Sequence, residues 1–333
     1  MAPESHQQET APTDVPRASP TLPCARGTFG GDGAEPPAGP RPVLGDDCWI
    51  LSGPTAAGKT ALGLSLARRL DAEIVSVDSM AVYRGLDIGT AKPTAAERAA
   101  VTHHLVDIVD PGEAYSVARW LADAAAAVAA CRARGKRVLF VGGTPLYLRA
   151  LRDGLDPQPA ADPEVRRRLE EEAAEAGGTA RLHARLADVD AVAAARIHPR
   201  DLRRVIRALE VVHLTGRPLA ASWADAAPVP PPFSRQMLVV DRPRRVLRER
   251  IDRRAAAMFA AGLVEETRAA AAGPGGIGPT ARQAAGYAES LAVLAGRMTP
   301  AEAVRSTQQR TRQLAKRQMT WLRSFRTAIW VGA

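Results

Sequence analysis

Gly53-Pro-Thr-Ala-Ala-Gly-Lys-Thr60 is a complete G-x-x-x-x-G-K-[ST] loop. Such a loop holds phosphate only when a buried strand leads into it and a helix leads out. Both flanks are present. Residues 47–52 carry the apolar run Cys-Trp-Ile-Leu, suited to a buried parallel strand, and Ala61 to Leu70 has helical periodicity. Gly53 and Gly58 permit backbone angles that let successive loop N–H groups converge on one anion, with Pro54, Thr55, Ala56 and Ala57 lining the turn. The helix starting near Thr60 adds the positive end of its dipole. Lys59 supplies a point charge for the terminal phosphate, and the Thr60 hydroxyl is placed to ligate Mg2+. The ligand is a di- or triphosphate.

Three more segments rich in Val, Ile or Leu read as strands: 73–77, 138–141 and 237–240. Helical stretches separate them, one over 116–134 with Ser116 as N-cap and Gly135 just past its end. The alternation predicts an α/β fold with a P-loop-type parallel sheet. Between 161 and 221 the pattern is helical and charged throughout, and the proline run 228–232 returns the chain to a strand. The last long helix opens with a capping box, Thr299-Pro-Ala-Glu302. The expected organisation is a tail over 1–46, the first part of the core over 47–160, a helical insertion over 161–232, and core completion with basic C-terminal helices over 233–333. The tail holds nine prolines and six glycines, a composition that cannot bury enough surface to offset ordering entropy, so disorder is expected there.

The formal charge is +9, yet residues 1–46 carry six acids and only three arginines, so the basic excess lies in the folded part. Residues 301–333 alone hold seven Lys or Arg against one Glu, which points to a polyanionic partner, nucleic acid first. Three cysteines (Cys24, Cys48, Cys131) without metal-ligand spacing suit a reduced, cytoplasmic protein. No apolar run approaches 18 residues, so no membrane partner is expected.

Asp78, in Ser76-Val-Asp-Ser-Met-Ala-Val-Tyr83, falls at the carboxyl end of the second strand, where α/β sheets place ligands. With the phosphate-loop strand as its expected neighbour, its carboxylate serves as metal ligand or general base near the phosphates, or caps a helix. Val141-Gly-Gly-Thr-Pro-Leu-Tyr147 leaves another strand, and the Thr144 hydroxyl there can donate to a leaving oxygen; an ordinary strand-to-helix turn would use the same residues. His103-His104-Leu-Val-Asp107 reads as structural. Two helical pieces are basic: Asp201-Leu-Arg-Arg-Val-Ile-Arg207 and the stretch 308–323. In the latter Arg312 and Lys316 share a face and repel each other unless an anion lies across them. Arg, Gln and Trp321 together suit RNA binding.

Taken jointly, these segments resemble the tRNA dimethylallyltransferase family. The matching stretches run in family order: Gly53–Thr60, Ser76-Val-Asp-Ser-Met80, Gly85-Leu-Asp-Ile-Gly-Thr-Ala-Lys-Pro93, His103-His-Leu, Val141-Gly-Gly-Thr144 and Thr311-Arg-Gln-Leu-Ala-Lys-Arg-Gln318. The resemblance implies an enzyme, dependent on Mg2+ held by Thr60, that transfers a dimethylallyl group from dimethylallyl diphosphate to N6 of the adenosine 3′-adjacent to the anticodon. It makes Asp78 the base, Thr144 a second catalytic group, and the loop with Arg254 the diphosphate site. It assigns tRNA contact to Asp78, Ser79, Met80, Ala81 and Thr144, to Arg166, Arg203, Arg204 and Arg207 in the insertion, and to Arg282, Gln283, Gly286, Tyr287, Arg312 and Lys316. The expected partner is the anticodon stem-loop, bound by a monomer. Three positions depart from the family pattern: Ala285 stands for a common Ile, Ala81 for a frequent Gln, and Pro145 for a common Gly.

Two other classes explain part of the pattern. A small-molecule kinase accounts for the loop and Asp78 but not for the basic helices. A non-catalytic RNA-binding NTPase accounts for loop and helices together. A relative that prenylates free adenylate needs no basic C-terminal helix.

Overall fold

The computed structural model describes residues 44–155, 158–221 and 237–332. Most of the expected tail and the proline run 228–232 lie outside them. Among the described residues, six parallel strands form one sheet: β1 (Cys48–Ser52), β2 (Ala72–Val77), β3 (His103–His104), β4 (Arg137–Gly142), β5 (Met237–Asp241) and β6 (Ile329–Gly332), in the order β3-β2-β4-β1-β5-β6. The four strands expected from sequence are present to within a residue at each end. β3 and β6 lie outside those expectations: the first is two histidines, and the second, Ile-Trp-Val-Gly, is a short, largely exposed edge. One expectation is corrected. β2 does not lie beside β1, because β4 inserts between them and pairs with both.

The connections are helical, as parallel strands require. α1 (Lys59–Leu70) leaves the phosphate loop. After the capped turn α2 (Ala95–Ala100), α3 (Val117–Ala133) starts at Ser116, whose hydroxyl accepts from Arg119 N–H. α4 (Pro145–Asp153) follows β4 with proline at its first position, where a missing N–H costs nothing. α3 and α4 cover one face through buried Trp120, which stacks on Tyr147 at 4.3 Å and donates its indole N–H to Ser76 O, beneath the end of β2.

α5 (Pro163–Ala174), α6 (Gly178–Val189), α7 (Ala191–Arg196) and α8 (Leu202–Thr215) intervene between β4 and β5 and pack around their own apolar cluster, with Leu182, Leu186 and Val205 at its centre. After β5 come α9 (Arg244–Ala260), α10 (Leu263–Ala272), α11 (Tyr287–Leu294) and α12 (Pro300–Leu322). The Thr299 and Glu302 side chains close the α12 capping box in both directions.

Candidate functional site

The phosphate loop takes the backbone course its glycines allow: φ is +151° at Gly53 and +101° at Gly58, and Ala56 also stands at +63°. The Lys59 ammonium donates to Gly53 O at 2.9 Å and Pro54 O at 2.8 Å. Burial draws its pKa down to about 8; Asp78 opposes the shift and Arg254 adds to it. Burial also lowers Arg254, again against the pull of Asp78. Lys59, Asp78 and Arg254 thus share one electrostatic environment, although they come from α1, the end of β2 and α9.

Two arginines outside the sequence-based expectation brace the loop. Arg242, the residue after β5, donates its Nε–H to Ala57 O at 2.6 Å, and Arg250 on α9 donates its Nε–H to Ala56 O at 2.8 Å. The two arginines thereby occupy the loop carbonyls of Ala56 and Ala57. Their guanidinium tips also converge on Gly58, where a β-carbon would stand 3.4 Å from Arg242 and 3.6 Å from Arg250. Neither residue belongs to a local motif, and each reaches the loop across more than 180 residues.

No helix begins at Asp78. Its Oδ1 accepts from Met80 N–H at 2.8 Å in a tight turn, and among the described residues no hydrogen bond occupies Oδ2. The Thr144 hydroxyl does not cap α4; it accepts from Ser79 N–H at 3.2 Å, and Thr144 N–H donates to Val77 O, so the ends of β2 and β4 are tied together. Gly142 and Gly143 make this possible. A β-carbon on Gly142 would fall 2.2 Å from Val77 O, and one on Gly143 would fall 2.6 Å from Gly53 O. Four adjacent strand ends, β2-β4-β1-β5, therefore present in a row Asp78, Thr144, the phosphate loop and Arg242.

The residues assigned to RNA separate by environment. Arg203, Arg204, Arg282, Gln283 and Lys316 are exposed, Ser79 and Met80 half-buried, and Ala81 buried. Arg166 and Arg207 both reach buried Glu210: Arg166 with two bonds of 2.9 Å, Arg207 with one of 2.5 Å and another to Pro159 O. Burial raises the Glu210 carboxyl, but the two guanidinium groups and the Asp162 N–H hold it lowered overall. Arg312 pairs with Asp252 of α9.

Gly286 and Tyr287 are both buried; a β-carbon on Gly286 would lie 2.4 Å from Leu263 Cδ2. The Tyr287 hydroxyl donates to Glu266 at 2.6 Å and accepts from Gly89 N–H at 3.3 Å, while Glu266 accepts from Asp87 and Ile88 N–H. This knot pins the segment 85–93, whose Lys92 is itself buried between Tyr83 O, Asp87 and Asp107. Tyr287→Phe is expected to cost about 1–3 kcal/mol, because it deletes a hydrogen bond to a carboxylate. Denaturant unfolding reads this loss, and affinity for an RNA stem-loop should stay unchanged.

Away from the loop, His104 Nε2 meets Glu73 at 2.6 Å and the Cys131 thiol at 3.5 Å, the one grouping of metal-ligand type among the described residues. Arg134 already grips both Glu73 oxygens, at 3.0 and 2.7 Å, and with His104 holds its carboxyl down to about 2. The Cys131 thiol is pushed up to about 11 by burial and by Glu73. A protonated thiol beside a carboxylate neutralised by arginine is a closed structural network. It lies toward the amino-terminal end of the sheet, away from the phosphate loop.

Among the described residues no helix is long and apolar enough to cross a membrane. The IPP transferase family model matches residues 81–325, and the isopentenyl transferase model matches residues 47–107. A tRNA dimethylallyltransferase of Anaeromyxobacter dehalogenans is 52% identical over 283 residues, covering 85% of this chain and 94% of that protein. The crystal structure of the tRNA isopentenylpyrophosphate transferase from Bacillus halodurans is 39% identical, with a TM-score of 0.61 over 86% of this chain and 89% of that one. A eukaryotic dimethylallyltransferase solved while acting on tRNA is 25% identical, with a TM-score of 0.70 over 85% of this chain and 73% of that one. The row of strand ends, the matched length and these relatives agree, and the chain belongs to the tRNA dimethylallyltransferase family.

Proposed function

We propose that this enzyme transfers the dimethylallyl group of dimethylallyl diphosphate to N6 of the adenosine 3′-adjacent to the anticodon of tRNA, releasing diphosphate. The observation that carries the reading is the placement of Asp78 and Thr144 beside the phosphate loop on neighbouring strand ends. β2 and β1 lie two strand spacings apart, about 10 Å. That span suits a linear arrangement: a carboxylate about 2.6–3.2 Å from the amine proton's nitrogen, that nitrogen about 3–3.5 Å from the allylic carbon, and then the diphosphate in the loop.

In this reading the adenosine is flipped out of its stack to reach the cradle. Its N6 lone pair is delocalised into the ring and makes a weak nucleophile. As the N6–C1 bond forms and the C1–O bond breaks, Asp78 takes the N6 proton and diphosphate keeps the bonding electrons. Lys59, Arg254 and the loop amides stabilise the charge gathering on the leaving oxygens. Thr144 hydrogen-bonds at the bridging oxygen or the target nucleotide. Mg2+ would be held by the Thr60 hydroxyl, which is exposed at the head of α1, and by diphosphate oxygens; hard oxygen donors of this kind fit the ion, and it would supply further charge neutralisation. Exposed Arg203, Arg204, Arg282, Gln283 and Lys316 serve the RNA, with the protein acting as a monomer.

Labelled dimethylallyl diphosphate and an anticodon stem-loop test the assignment. Label is expected on a stem-loop carrying the target adenosine, and neither on one lacking it nor on free AMP. RNA affinity should fall steeply with added salt, since several phosphate contacts release counterions. Label on AMP instead, or turnover of ATP without RNA, would overturn the reading.

A further inference from the structure

Gln318 stands on α12 two residues beyond exposed Lys316, yet its side chain turns inward and is 7% exposed. Its Oε1 accepts from Thr55 N–H at 2.8 Å, and its Nε2 donates to Gly143 O at 2.9 Å. An N–H can only donate and a carbonyl can only accept, so these two partners fix which end of the amide is oxygen. The partners belong to the two active segments: Thr55 to the phosphate loop after β1, Gly143 to the turn that carries Thr144 after β4. The paired ladder of β1 and β4 ends at Leu51 and Val141. Beyond it, among the described residues, no backbone hydrogen bond joins loop to turn. The contact there is nonetheless tight, since a β-carbon on Gly143 would come within 2.6 Å of Gly53 O and 2.9 Å of Gln318 Nε2.

We propose that Gln318 is a positioning residue of the transfer reaction: its amide sets the separation between the diphosphate cradle and Thr144. Through the Thr144–Ser79 bond it also sets the register of Asp78 against the leaving group. The role fits an amide, the uncharged side chain that offers donor and acceptor on one planar head. Thr55, Ala56 and Ala57 are then held from outside by Gln318, Arg250 and Arg242 in turn, so three consecutive loop residues are fixed by side chains that arrive from the C-terminal third. α12 consequently has two jobs on opposite faces, with Lys316 turned to solvent and Gln318 turned to the loop. The inference rests on the loop being the diphosphate site.

Gln318→Met keeps the side chain's length and removes both bonds. Gln318→Glu keeps the acceptor for Thr55 but sets a carboxylate against the Gly143 carbonyl. Transfer to the stem-loop is measured for both, with kcat normalised to the fraction of protein that binds inorganic pyrophosphate, so that a partly unfolded preparation does not mimic the effect. Misplacement of reacting groups by about 1 Å can cost about 10²-fold. The expected result is a kcat about 10–100-fold lower in both variants, with the KM for the stem-loop essentially unchanged. Lys316→Ala, on the other face, should do the reverse and raise that KM with kcat retained. A kcat within about twofold of wild type in both Gln318 variants, or a loss expressed wholly in KM, would overturn the positioning role. Failure of the wild-type protein to bind pyrophosphate would instead sink the reading of the loop itself.

Discussion

Asp78→Asn is expected to lower transfer to the anticodon stem-loop by about 10²–10⁴-fold, the range for removing a general base. Pyrophosphate and RNA should still bind within a few-fold of wild type. The choice of asparagine follows from the turn. Asp78 Oδ1 accepts from Met80 N–H, and an asparagine carbonyl can take over that bond, so the end of β2 keeps its shape. The substitution then changes little except the ability of the open oxygen to accept a proton. Alanine is a poorer probe, since it also releases the Met80 amide and lets the turn relax. Single-turnover transfer with saturating RNA and dimethylallyl diphosphate isolates the chemical step. Near-wild-type single-turnover rates in Asp78→Asn would remove Asp78 as the base. A matching loss of pyrophosphate binding would make it a diphosphate or metal ligand instead.

The parts of this site that lay open in the sequence are those built from short, contiguous segments at strand ends. Gly53–Thr60, Asp78 and Gly142–Thr144 each combine a strand signal with residues whose chemistry is specific, and each is found at a carboxyl end as expected. The order of those strands was not legible, because nothing in β2 or β4 says which of them pairs with β1. The braces were hidden for a related reason. Gln318, Arg242 and Arg250 reach the loop over 263, 185 and 194 residues, and only the folded chain brings them there. Burial was likewise not legible: Gly286 packs against Leu263 and Tyr287 bonds to Glu266. The ion pairs of Arg166 and Arg207 to buried Glu210, 44 and three residues away, also appear only in the folded chain.

Lys59→Met is expected to remove pyrophosphate binding and transfer together, while in the ligand-free protein at neutral pH the gain from losing a buried charge offsets the hydrogen bonds given up. The loss follows from deleting a charge-bearing donor aimed at the leaving group, worth about 10²–10³-fold where such donors have been removed. The gain follows from where Lys59 sits. Burial draws its pKa from 10.5 to about 8 against the help of Asp78, so the folded protein carries a desolvated ammonium that the unfolded chain would hydrate. That displacement corresponds to about 3 kcal/mol. The variant gives back the two charge-assisted bonds to Gly53 O and Pro54 O, about 1.5 kcal/mol or more each, so the two contributions roughly cancel. The sign with pH is fixed by proton counting. Between about 8 and 10.5 the unfolded chain holds the Lys59 proton and the folded protein does not, so stability rises with pH across that window. The cost is therefore fully present below about pH 8, so the methionine variant compares best with wild type there and less well toward pH 10.5. Saturating pyrophosphate favours wild type, because ligand stabilises only the protein that binds it. Thermal unfolding of both proteins at pH 7 and pH 9.5, with and without pyrophosphate, reads all four corners. A ligand-free variant that melts well below wild type at pH 7 would show that the ammonium's bonds to the loop outweigh its burial. Preorganisation of the cradle would then owe more to Lys59 itself than to the arginine and glutamine braces around it.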